Sequence, residues 1–400
     1  MSLPDFLSSS ETSDTFWYSR ECYVATNPHD PDAALGLVEF VNARPDLREL
    51  GLLFFQTSGS EGKPKWVGIS RAAFQASAHA VNEHLEITAK DRWLIPLPLH
   101  HVGGFSILAR CFNVGSSFYK MDEKWDAGRF VQLCEVEKIT LTSLVPTQVF
   151  DLVKGQYQAP NSMRAVVVGG GALGKEIGLR ASELGWPILQ SYGMTETSSQ
   201  VATEPLAHLD SGFDPEMLEI LPIWNLQTDE QNRLIVRGKG LASGYASLQD
   251  SGWQWDAIDT EEGLRTRDAV SIWEHGTRRF LRFVGREASF VKVKGELLHI
   301  GVLQERINTF CVSLGIWNRV IICPVPDERR DTKLVLVTER NAVSTAQLET
   351  LLQTYHQTSA PHEKLHEYVK VETLPVSDLG KISLAKLQQL VVRALEKSDV

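Results

Sequence analysis

A chain of 400 residues exceeds one ordinary hydrophobic core, so two domains are the default expectation. Hydrophobic residues make up 43% and charged residues 22%, the balance of a soluble globular protein. The net charge of -10 lacks the basic excess of a nucleic-acid or general polyanion binder, but leaves room for a locally basic ligand site.

The opening residues, MSLPDFLSSSETSD, contain no basic region followed by an apolar run, so no signal peptide is expected. A loop over 28–32 precedes a short helix expected over 33–42. A buried strand over 52–56 runs into a loop of small and basic residues at 57–65, and a strand resumes over 66–69. Ser70 is placed to cap the next helix, whose apolar positions Phe74, Ala78, Val81 and Leu85 recur near the helical period. Strand, loop and helix then alternate. A strand over 93–96 meets a loop at 100–104 and a helix, and a strand over 139–145 meets a helix from Pro146. Strands over 164–168 and 187–191 end at a glycine run and at Tyr192. This alternation predicts α/β architecture, a mainly parallel sheet covered by helices.

From about residue 234 the pattern changes to short β-rich runs with many Gly and Trp. A break falls at Gly285 and Arg286. Beyond it, strands over 320–324 and 334–338 and helices over 346–356 and 383–397 predict a small α+β domain. The expected division is therefore a large domain, 1–284, and a small C-terminal domain, 285–400. Five cysteines without CxxC spacing (Cys22, Cys111, Cys134, Cys311, Cys323) argue against a disulfide framework or zinc knuckle and fit a reducing cytoplasm. No run approaches the roughly 18 apolar residues of a membrane span, so no membrane insertion is expected.

The loop Thr57, Ser58, Gly59, Ser60, Glu61, Gly62, Lys63, Pro64, Lys65 has the chemistry of a polyphosphate cradle. Its glycines let backbone N–H groups turn inward, and its hydroxyls and lysines add donors and charge. It is not a Walker loop, because no Gly-Lys-Ser/Thr opens a helix. A surface loop of turn residues is the plainer reading. Gly169, Gly170 and Gly171 with Gly174 form a GxGxxG after a strand, but the next strand does not end in an acidic residue. That disfavours a nicotinamide or flavin and leaves close backbone approach to a flat ligand such as adenine. Tyr192, Gly193, Met194, Thr195 and Glu196 follow a strand end, where open α/β sheets bind ligands: a ring to stack on a base, and a carboxylate to hold Mg²⁺ beside phosphates. Asp268 in Thr266-Arg267-Asp268 offers an acceptor for ribose hydroxyls, or else a surface ion pair. Arg286 and Lys381 are isolated cations that composition alone does not distinguish from solubilising charge.

These motifs, in the order 57–65, 100–104, 169–172, 192–196, 266–268, 285–295 and 380–381, resemble the adenylate-forming (AMP-binding) acyl-CoA synthetase superfamily. Within it the chain is most similar to the o-succinylbenzoate–CoA ligases of menaquinone biosynthesis. The likeness lies in Tyr192-Gly-Met-Thr-Glu-Thr-Ser-Ser-Gln200, in Thr-Arg-Asp at 266–268, and in the short length. The resemblance implies ATP, Mg²⁺ and coenzyme A as co-substrates and cofactors, and o-succinylbenzoate as the small-molecule carboxylic acid.

By position it implies that Thr57 to Lys65 hold the β- and γ-phosphates. Gly169 to Gly171 and Tyr192 would flank adenine, Thr195 would contact the α-phosphate, and Glu196, with Thr57, the metal. Asp268 and Arg286 would bind ribose, and His101 would shape the acyl pocket. Lys381 would bridge the acid and the α-phosphate, and Gly295 would line a pantetheine tunnel. It also implies a mobile C-terminal lid. Four departures stand out: Glu61 in place of a usual threonine, Trp66 of a glycine, Ala288 of a hinge aspartate, and Arg267 of a glycine. The segment before residue 57 is short, so a reduced N-terminal portion is expected. Competing readings are an adenylating enzyme for another aryl or fatty acid, a dinucleotide oxidoreductase, and a nucleotide-binding protein with a degenerate site.

Overall fold

The computed structural model describes residues 13–28, 30–57, 65–121, 124–210, 212–286, 290–317, 319–327, 331–365, 367–375 and 382–396. The chain divides into two compact units, Met1–Thr266 with Val270–Phe283, and Arg267–Ala269 with Val284–Val400.

The expected α/β architecture is borne out. An eleven-stranded sheet contains a parallel block in which Ile188–Met194, Ala165–Val168, Leu141–Leu144, Arg92–Ile95 and Ser117–Lys120 lie side by side. Its central strand Ala165–Val168 is apolar throughout and the next, Leu141–Leu144, is buried throughout, as expected where helices cover both faces of a parallel sheet. The helices Arg71–His84 and Val102–Val114 pack on it through Phe74, Ala78, Val81, Phe105 and Leu108, all buried. Ser70 caps the first of these helices, its hydroxyl accepting from the Ala73 N–H at 3.1 Å.

Beyond Met194 the same sheet turns antiparallel through Ser199–Thr203, Leu218–Ile220 and four longer-range strands ending at Trp224–Thr228. The β-rich runs read from about residue 234 take in Arg233–Gly238, Leu264–His275 and Arg278–Arg286, whereas strand–helix alternation gave no sign of Ser199–Thr203, Leu218–Ile220 and Trp224–Thr228, since antiparallel partners need no crossover helix. A second, five-stranded sheet runs in the order Tyr23–Ala25, Leu52–Thr57, Lys65–Ser70, Gly244–Gln249 and Gly252–Ala257. Trp66 fills its outer core with Leu37, Val41, Leu52 and Phe54, which explains an indole where a glycine was anticipated. The helix expected over 33–42 is instead a 3-10 turn, Pro31–Ala34, and a helix, Leu37–Asn42, separated by Gly36 at φ +78°. A left-handed residue ends helical propagation, so the apolar spacing overran the break.

In the second unit, Val320–Asp327, Asp331–Glu339 and Glu367–Val371 form a three-stranded sheet covered by Ile300–Ser313, Thr345–Thr358 and Leu384–Glu396. Cys323, Val335, Val337, Leu387 and Val391 make its core. Among the described residues no helix is long and apolar enough to cross a membrane.

Candidate active site

The strands Leu52–Thr57 and Lys65–Ser70 pair antiparallel, with Thr57 opposite Lys65. The two expected anion-contact residues therefore sit at one level, and the Thr57 hydroxyl donates to the Lys65 carbonyl at 3.4 Å. Ser58, Gly59, Ser60, Glu61, Gly62 and Lys63 lie outside the described residues, as do Ala288 and Lys381. The next strand, Gly244–Gln249, pairs with Lys65–Ser70 so that Tyr245 faces Val67 in register. Tyr245 thereby reaches two of the anticipated groups. Its hydroxyl donates to Glu196 Oε1 at 3.2 Å, and Lys65 Nζ lies 5.8 Å from its ring centroid. Burial and the Glu196 charge push the Tyr245 phenol far above its ordinary range, so it is present as a hydrogen-bond donor.

Glu196 sits in a 3-10 turn, Thr195–Thr197, closed by Met194 N–H donating to Thr197 Oγ1 at 3.1 Å. The Glu196 carbonyl accepts from the Ala242 N–H at 2.8 Å. The turn opens from a register shift between Tyr192 and Gly193 against the Ser199–Thr203 strand. A Cβ at Gly193 would come within 1.7 Å of the Ser199 carbonyl, so only glycine lets the two strands approach here. Ser198 and Ser199 follow with φ +57° and +128°, which aim the short segment after Glu196 back into the molecule. No group of three or more His, Cys, Asp or Glu gathers among the described residues. A lone Glu196 carboxylate is not a closed metal cage, and its chemistry suits an ion carried largely by substrate phosphates.

The glycine run is braced by Gln190, which motif reading passed over. Its Oε1 accepts from the Leu173 N–H at 2.8 Å, and its Nε2 donates to the carbonyls of Val168, Gly171 and Ser191 at 3.1, 3.2 and 2.8 Å. The backbone N–H of Gln190 in turn donates to the buried Glu204 carboxylate at 2.7 Å. Burial raises the Glu204 carboxyl to about 7, although the backbone N–H groups of Gln190 and Asp214 pull the other way. Tyr192 stacks on Phe283, with ring centroids 5.7 Å apart and planes 27° from parallel.

His101 occupies the N-cap position of Val102–Val114, its ring 4.4 Å from that of His100. Deeper in that helix is Arg110, a second residue that motif reading missed. It is only 1% exposed, yet its Nη2 donates to Ser199 Oγ at 3.1 Å while Nε and Nη1 have no hydrogen-bond partner among the described residues. The guanidinium carbon lies 5.4 Å from the Trp93 ring centroid, within cation–π range. Burial lowers its pKa to about 10, which still leaves it cationic at neutral pH. Of the three polar residues after Thr197, Ser199 alone meets this cation. Ser198 donates to the Gly240 carbonyl at 2.7 Å and Gln200 accepts from Thr203 at 2.6 Å.

In the second unit, Arg286 Nε donates to Asp268 Oδ1 at 2.8 Å. Asp268 is buried and Arg286 is not, so the carboxylate is held by a cation whose far side remains in solvent. Lys294 and Gly295 form the two-residue turn between Phe290–Val293 and Glu296–His299, both with positive φ, +53° and +88°. Such a turn needs the left-handed region at both positions, which accounts for the glycine independently of any ligand.

Comparison with known proteins follows the same lines. The chain is 26% identical over 337 residues to the 2-succinylbenzoate–CoA ligase of Listeria monocytogenes, covering 83% of this chain and 68% of that enzyme. It is 27% identical over 289 residues to the 2-succinylbenzoate–CoA ligase of Bacillus pumilus, of which it spans 55%. The solved o-succinylbenzoate CoA synthetase of Bacillus subtilis, in complex with the acyl-adenylate intermediate, superposes with a TM-score of 0.68 over 84% of this chain and 68% of that one, at 22% identity. The model of the AMP-binding enzymes matches residues 15–246, more than half of the sequence, and the chain belongs to that family.

Proposed function

We propose that this protein is an ATP-dependent acid–CoA ligase, acting in two half-reactions on o-succinylbenzoate. A carboxylate is a poor electrophile because its leaving group would be oxide. In the first step a carboxylate oxygen attacks the α-phosphorus of ATP, the P–O bond to pyrophosphate breaks, and the acid becomes a mixed anhydride with AMP. In the second, the sulfur of coenzyme A attacks the acyl carbon, and the bond to the AMP oxygen breaks. The thiol proton leaves to solvent or a base.

Catalysis of the first step is electrostatic, because two anions must be brought together. Thr57 and Lys65, with the loop between them, supply donors and charge to the β- and γ-phosphates. Glu196 and Thr57 would hold Mg²⁺, which neutralises phosphate charge when bound. Gln190 keeps the backbone of Gly169 to Gly171 in place beside adenine, and Tyr192 offers a ring face. Thr195 stands at the α-phosphate, and His101 at the mouth of the acyl pocket. Asp268 takes the ribose hydroxyls with Arg286 behind it. Lys381 supplies the second cation at the reacting phosphate during adenylation, and Gly295 lines the path of the pantetheine arm. In this reading residues 1–284 are the catalytic body and 285–400 the lid.

The observation that carries the choice of acid is Arg110. A buried guanidinium with two nitrogens unsatisfied among the described residues costs several kcal/mol unless something anionic meets it. o-Succinylbenzoate has two carboxylates, one to be activated and one to be bound without reaction. A planar carboxylate fits the fork of a guanidinium. A fatty acid or benzoate has no second charge for it. The test is isotope exchange between pyrophosphate and ATP without coenzyme A. Exchange should depend on o-succinylbenzoate, and its absence with every acid offered would reject the ligase reading.

A further inference from the structure

Tyr245 lies outside the ligand-binding motifs of the sequence, yet it meets two of the groups that the proposed chemistry needs. Its hydroxyl meets Glu196, and Lys65 Nζ lies over its ring. The backbone of its own strand is fixed by pairing on both sides, Tyr245 with Val67 and Tyr245 with Asp256. The ring is therefore a rigid prop rather than a mobile surface side chain. The hydroxyl is 3.2 Å from Glu196 Oε1, and no bond to the other carboxylate oxygen is present among the described residues.

We propose that Tyr245 is a positioning residue for the metal carboxylate: its hydroxyl holds one oxygen of Glu196 so that the other points at the cation on the nucleotide phosphates. This rests on the reading of Glu196 as the carboxylate that binds Mg²⁺. A carboxylate on a two-carbon stem samples several rotamers in water. A hydrogen bond to one oxygen removes most of them before the cation arrives, so less ordering remains at binding. The same phenol carries Lys65 over its ring face, which sets a phosphate-binding cation beside the metal carboxylate without pairing the two charges directly. A direct Lys–Glu pair would neutralise both groups before ATP arrived, and the aromatic spacer prevents it.

Tyr245→Phe removes the hydroxyl and keeps the ring, so Lys65 stays in place and the strand is undisturbed. Manganese binding is read by electron paramagnetic resonance in the presence of the non-hydrolysable α,β-methylene analogue of ATP, alongside calorimetry of the analogue without metal. The expected result is a loss of about tenfold in Mn²⁺ affinity, the scale of one hydrogen bond to a charged group. Affinity for the metal-free analogue should be unchanged, and raised Mg²⁺ should restore turnover. Glu196→Gln is the control. If it weakens Mn²⁺ and Tyr245→Phe does not, the positioning role is wrong and the metal reading stands. If neither variant changes Mn²⁺ binding, Glu196 is not the metal ligand and both fall. Equal loss of metal-free nucleotide affinity in Tyr245→Phe would mark a general structural role and overturn the proposal.

Discussion

Arg110 lies in a run, 104–111, whose every side chain is buried. Phe105, Ile107 and Leu108 are buried in the same run, and periodicity reads the whole stretch as core. The signal available in the sequence was the lone cation inside that apolar run, a placement expensive enough to need a reason. Arg110→Met keeps the volume and removes the charge. It should lower kcat/KM for o-succinylbenzoate roughly 10- to 100-fold, the value of a hydrogen bond to a charged group, with little effect on a monocarboxylic acid. Steady-state kinetics on both acids checks this, and an equal loss on both would assign Arg110 to the scaffold. Asp268 was legible in part: its burial was not expected of a surface ion pair, and Arg286 meets it as an ion-pair partner. Asp268→Ala should weaken ATP binding by roughly 1.5–3 kcal/mol, measured by calorimetry on the folded variant. An unchanged affinity would remove Asp268 from the nucleotide site.

At the scale of elements, strands were legible where they were fully apolar and ended in turn residues, as at Ala165–Val168. The turn holding Glu196 was legible as a motif but not as a shape. Its geometry depends on Gly193 passing under the Ser199 carbonyl and on two serines at positive φ, which no period announces. Gln190 was invisible for a related reason, since its four bonds go to backbone atoms 17–22 residues earlier and to its neighbour. Glu204, which holds the Gln190 backbone, gives this region a pH signature. Burial raises its carboxyl from 4.5 to about 7. Because the folded value lies above the unfolded one, its contribution to stability is complete below about 4.5 and is lost as pH rises through about 7. Glu204→Gln imitates the protonated form and should remove that loss. Melting temperatures of the two proteins between pH 4.5 and 8 should therefore diverge in slope; parallel curves would show that Glu204 does not titrate in this range.

At the scale of the molecule, the change from α/β alternation to β-rich runs and then to a small α+β unit was legible in composition, because each layer type imposes its own period. The chain is divided between Thr266 and Val284, and Arg267–Ala269, with Asp268 at its centre, falls with the smaller unit although Thr266 and Val270 on either side fall with the larger. No local pattern carries that assignment. Lys381→Ala should abolish acyl-AMP formation and leave thioester formation from supplied acyl-AMP largely intact, as followed by chromatography of each half-reaction. Equal loss of both would deny Lys381 a role specific to adenylation. The central claim is that this fold activates a dicarboxylic aryl acid, with Arg110 holding the spare carboxylate. The most direct measurement is kcat/KM for o-succinylbenzoate, benzoate and a medium-chain fatty acid under identical ATP, Mg²⁺ and coenzyme A. o-Succinylbenzoate should exceed both simple acids, whereas a higher value for either would contradict the account.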